Sequence, residues 1–203
     1  MSQDASVNPW LTMWSQPKNT VRALIRSRPA YGVFYLVVIY ALQGFFFYSN
    51  WWSLGLTAHF YTLLIMGVVL SPLIGLVWLY YAGFIFHLTG RWLKGRAPAS
   101  HLRTAIAWSK LPYTINLLMW LVLIFMNPKS VFIQDAAEGP SSIFVNFITM
   151  ILGIWSLVLL VQSVSEVQQF TVARSAANIL IAWFISSIIV FFFFGLFRYI
   201  QTM

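Results

Sequence analysis

Apolar residues gather in five runs, at about 30–48, 60–88, 111–126, 143–164 and 177–199, and polar residues gather in the gaps. The run from Phe60 to Leu88 carries no charge and, apart from His87, few polar side chains such as Thr62 and Ser71. As a helix it would extend about 43 Å at ~1.5 Å per residue, against a hydrocarbon core of ~30 Å, so it crosses a bilayer with length to spare. Gly67, Ser71 and Gly75 recur every four residues and Gly83 continues that face. Small side chains there let a neighbouring helix approach closely. Pro72 removes one backbone hydrogen bond inside the run and predicts a bend. The pattern predicts an all-α, polytopic membrane bundle of five transmembrane helices occupying 30–203. No alternation of period two appears, which excludes a membrane barrel.

A different periodicity precedes the spans. Residues 1–7 are polar, and Asn8-Pro9 reads as a helix cap followed by a first-turn proline. Trp10, Met13, Trp14, Val21, Leu24 and Ile25 then fall on one stripe, with Lys18, Arg22 and Arg26 stepping by four along its flank. Pro17 divides the segment. The pattern predicts that 1–29 is a tail followed by an amphipathic interfacial helix, with tryptophans toward the acyl chains and cations toward phosphates.

Composition agrees with a lipid solvent. The chain is 60% hydrophobic and 8% charged, where a soluble domain carries about 25% charged residues. The formal net charge of +8 points to anionic headgroups rather than nucleic acid, because the cations fall between the spans. Residues 1–29 hold Lys18, Arg22, Arg26 and Arg28, and the 89–110 connection holds Arg91, Lys94, Arg96, Arg103 and Lys110. The 50–58 turn holds none and the 127–142 loop only Lys129. Cations favour the cytoplasmic side, so the N-terminus and the 89–110 connection are expected inside and the C-terminus outside, in a cell inner membrane. No cleavable signal is read at the N-terminus.

Chemistry is sparse. Without Cys there are no disulfides, thiolate metal sites or thiol nucleophiles. No metal, cofactor or catalytic motif is read, and with four acidic residues in all the chain is not expected to be an enzyme. His59 and His87 stand at opposite ends of the second span, too far apart to share a metal. Gln43, Asn116, Asn146 and Gln162 read as interhelical hydrogen-bonding groups. Glu166 ends the fourth span among cations, and a buried ion pair with Arg174 is expected, Arg103 and Lys110 being the other partners weighed. A pairing of Glu166 with His87 or His101 is the one catalytic combination on offer.

Three blocks give a family likeness. They are the lead-in NPWLTMWSQPKNTVRALI, the small and cationic stretch LTGRWLKGRAPASHLRTAIAWSKLPYTI, and WSLVLLVQSVSEVQQFTVARSAANILIA with Trp155, Glu166, Val167, Arg174 and Ala176. In these the chain resembles a bacterial member of the Yip1 family, whose proteins carry five membrane spans. Eukaryotic relatives carry a long cytosolic N-terminal region and bind Rab-type GTPases; that region is not read here, so Rab binding is not carried over. The resemblance implies a non-enzymatic inner-membrane protein that organises membrane or partner proteins, itself included. The basic face for lipid or partner would comprise Lys18, Arg22, Arg26, Arg91, Lys94, Arg96, Arg103 and Lys110. The alternative is a small-solute transporter or channel using the Gly67/Ser71/Gly75 face, Pro72 and Asn116.

Overall fold

Proline and glycine punctuate the helices. The computed structural model describes residues 8–134 and 140–201. Asn8 accepts the Trp10 N–H at 3.1 Å and Pro9 opens α1, Pro9–Thr12. Pro17 opens α2, Pro17–Ser27, so the lead-in is two helices, as its proline predicts. Gly32, at φ +69°, turns the chain into α3, Val33–Trp51. The long α4, Phe60–Trp92, contains Pro72. It closes on Lys94 at φ +64°, with the Gly95 N–H returning to the Gly90 carbonyl at 2.8 Å. The remaining helices are α5, Ala99–Ser109, α6, Tyr113–Met126, α7, Pro140–Gln168, and α8, Val172–Gln201. The expected tail at residues 1–7 and the loop acids Asp135 and Glu138 lie outside the described residues.

Helices α3, α4, α7 and α8 are each long and apolar enough to cross a membrane. α5 and α6 are apolar and long enough only as a pair bent by 44° at the break between them, a broken fifth span or a re-entrant loop. This corrects the third span. Over its 14 residues, α6 reaches only about 21 Å at ~1.5 Å per residue, short of a ~30 Å core. α5 supplies the rest. The basic connection is therefore confined to the short turn after α4, and from Ala99 onward the chain is a packed helix with Leu102, Ala105, Ile106, Ala107 and Trp108 buried.

α3 and α4 form the closest pair. A Cβ on Gly67 would meet Leu42, Phe45 and Phe46, and one on Gly75 would lie 2.8 Å from Val37, while Ser71 is buried between them. Gly83 instead makes room for the Arg103 side chain on α5. α5 packs on α3, α4 and α7, whereas α6 packs on α3 and α7, and α8 on α4 and α7. Opposite the basic turn, Asn50 Nδ2 donates to the Val131 carbonyl at 3.0 Å, and Phe132 is buried against Phe46 and Phe60. The outward faces, for example Ile65, Val69, Leu73 and Val77, are exposed apolar surface suited to lipid.

Candidate functional site

The apolar stripe of the lead-in is covered by protein. Met13, Val21 and Leu24 are buried against Leu36, Ala105, Trp108, Leu111 and Leu159, drawn from α3, α5, the break between α5 and α6, and α7. This corrects the expectation that the stripe faces acyl chains. Periodicity marks which face of a helix is apolar, and both lipid and a helix bundle can cover it. Trp108 is the centre of the joint. Its Nε1–H donates to the Tyr31 carbonyl at 3.0 Å and its ring packs on Trp10, with centroids 4.9 Å apart. Thr104 Oγ1 donates to the Pro29 carbonyl at 2.7 Å, tying the same turn to α5. Gly32 is required twice over: its φ is positive, and a Cβ would stand 2.8 Å from the Trp108 ring.

An ion pair closes the joint on its polar side. Arg22 Nε and Nη2 donate to Glu166 Oε1 and Oε2 at 2.7 and 2.9 Å, the fork geometry that gives charge-assisted pairs their directionality. The carboxylate hydrogen bond raises the Arg22 pKa further above its usual value, so the guanidinium stays charged. Glu166 is the more sheltered partner, its side chain 12% exposed against 48% for Arg22. The expected partner, Arg174, points elsewhere, with its guanidinium 5.6 Å from the Phe170 ring centroid. α2 packs directly on α7 and presents Arg22 to Glu166 first. Arg103 on α5 lies over Tyr80, and Lys110 just past the end of α5 lies over Tyr40.

Beside the ion pair lies an open cleft of about 430 Å³, lined by Arg22, Arg26, His101, Glu166 and Gln169, with Ile25 and Val167 as its apolar part. Arg26, Arg91, Lys94 and Arg96 are exposed and Lys18 is half-buried. The other two expected cations are not free for a ligand at this face. Arg103 lies over Tyr80, 4.4 Å from its centroid, and Lys110 is surrounded by aromatic rings. The cleft brings His101 to the side of Glu166, but both carboxylate oxygens are occupied by Arg22. His87 sits apart, its Nδ1 2.9 Å from the Ala97 carbonyl and so bearing the proton. Among the described residues no three metal-ligating side chains come together.

Two features of this end escaped the sequence reading. Gln168 is buried, accepts the Ala97 N–H at 3.2 Å, and lies against Gly90 and Gly95, clasping the end of α7 to the turn after α4. The sequence allows some of the Ala105–Ser109 turn into the short third span, but the role of Trp108 at the joint was hidden because its segment reads as basic. The apolar run Ala105–Trp108 inside that segment was the available signal.

A family model described as the Yip1 domain matches residues 11–194. No curated protein matches the chain. No solved structure matches it either. The matched stretch runs from within α1 to within α8, and the chain belongs to the Yip1 family of multi-pass membrane proteins.

Proposed function

We propose that this protein is a non-enzymatic organiser of a bacterial inner membrane, with its N-terminus in the cytoplasm and its C-terminus outside. Its basic face engages anionic headgroups and, through them or directly, partner membrane proteins or a second copy. The supporting observation is the Arg22–Glu166 pair. It takes up the one acid among the described residues and holds α2 against the bundle. Lys18, Arg26, Arg91, Lys94 and Arg96 keep their charge for an outside ligand. At roughly 1 kcal/mol per cation near an anionic surface, the set supplies enough attraction to retain acidic lipid.

The test is native mass spectrometry of the detergent-purified protein with added phosphatidylglycerol or phosphatidylcholine, joined to photo-crosslinking in native membranes. Reversing Arg91, Lys94 and Arg96 to Glu should strip bound phosphatidylglycerol and the crosslinked partners while leaving phosphatidylcholine unchanged. Retention of both in a folded variant refutes the reading.

A further inference from the structure

Lys110 stands at the break between α5 and α6. Its Nζ lies 4.8 Å from the ring centroid of Tyr40, 5.4 Å from Tyr113 and 5.6 Å from Trp78, rings supplied by α3, α6 and α4. Trp78 stands about 27 Å from the Phe60 end of α4 and about 21 Å from its Trp92 end, at ~1.5 Å per residue. The ammonium therefore lies level with the middle of α4, and Lys110 is half-buried there. The one acid among the described residues, Glu166, is taken by Arg22, so no carboxylate there neutralises Lys110. Intramembrane cations without a counterion mark ion and substrate sites.

The surroundings extend the case. α5 fills the space among α3, α4 and α7, but past the break α6 stays on α3 and α7 and leaves α4. Lys110 thus sits where the filling of the bundle ends. On the α6 side of the break, Asn116 is fully buried with its Nδ2 unpartnered, while its Oδ1 accepts from Thr149 at 2.7 Å. Ser156 Oγ on α7 is likewise buried and unpartnered.

We propose that Lys110 is the charge-bearing group of a binding site, level with the middle of α4, for a monovalent oxyanion with an apolar body, such as a free carboxylate or a lipid phosphodiester. One ammonium balances one negative charge. Tyr40 and Tyr113 carry hydroxyls that can donate to an oxyanion, and the three rings suit an apolar body. A dianion would leave a charge uncompensated in a low-dielectric place. The site is separate from the basic face and does not depend on it.

The experiment uses the full chain in nanodiscs of zwitterionic lipid. Radiolabelled benzoate should bind saturably, at least about tenfold more weakly in Lys110→Met, and as in wild type in the surface control Lys129→Met. In a second arm, native mass spectrometry counts bound phosphatidylglycerol, and wild type should hold one molecule more than Lys110→Met, over and above those lost on reversing Arg91, Lys94 and Arg96. Binding in the first arm assigns the oxyanion to a soluble carboxylate, and binding in the second alone assigns it to lipid. Wild type that binds neither probe overturns the proposal, as does a folded Lys110→Met that binds both unchanged. If Lys110→Met does not fold, Tyr40→Phe with Tyr113→Phe keeps the rings and should weaken binding several-fold. Unchanged binding in that variant also overturns it.

Discussion

Replacing Trp108 with Ala tests whether the lead-in rests on protein or on lipid. Trp108 is fully buried between α1, α2 and the bundle. Removing such a ring from a protein-enclosed site costs about 3–5 kcal/mol, because the surroundings relax only in part. The Tyr31 carbonyl also loses the donor that now stands 3.0 Å away, a further cost at the low end of ~1–3 kcal/mol since Tyr31 is partly exposed. Were the ring facing acyl chains, lipid would fill the space and the loss would be below about 1 kcal/mol, since no cavity would remain. Reversible unfolding in mixed micelles measures the difference, with Trp108→Phe expected near 1–2 kcal/mol for the lost N–H alone. Since the chain has no cysteine, a single Val21→Cys reports docking directly. Val21 is fully buried, so maleimide should not label the introduced thiol in an otherwise unchanged protein. It should label that thiol when Trp108→Ala or Glu166→Lys is added. A Trp108→Ala protein within about 1 kcal/mol of wild type, with the thiol of Val21→Cys still protected, would refute the docked arrangement.

Gly75→Val puts a side chain where a Cβ alone would meet Val37 at 2.8 Å; it should cost about 1–3 kcal/mol by forcing α3 from α4, read by the same unfolding assay. Gly90→Ala collides with the Gln168 side chain. It should lower the melting temperature, and Gln168→Ala added to it should recover part of the loss. A double variant no more stable than Gly90→Ala would show that the clasp is not the cause.

The crossings were legible in the sequence because uninterrupted apolar runs have one physical use. So were the split at Pro17 and the cap at Asn8, which depend on neighbouring residues alone. The third crossing was half read. Arg103 and Lys110 gave 99–110 the look of a solvated connection, and the rings of Tyr80, Tyr40 and Trp78 that accommodate them lie elsewhere in the chain. Glu166 was recognised as needing a partner, but Arg22 is 144 residues away, and nothing local prefers it to Arg174. The clasp of Gln168 between Gly90 and Gly95 has the same character, since a glycine that admits a distant side chain resembles any other glycine in sequence.

The aromatic seats of Arg103 and Lys110 bear on the order in which the chain is made. A cation at the centre of a membrane helix costs roughly 2.5–3.5 kcal/mol on insertion scales, and α5 with α6 carries two. Tyr40, Trp78 and Tyr80 all precede them. During translation the α3–α4 hairpin is therefore already in the bilayer to receive α5 as it leaves the translocon. The expected consequence is a sequential biogenesis in which the earlier hairpin assists integration of α5 and α6 before α7 and α8 are made.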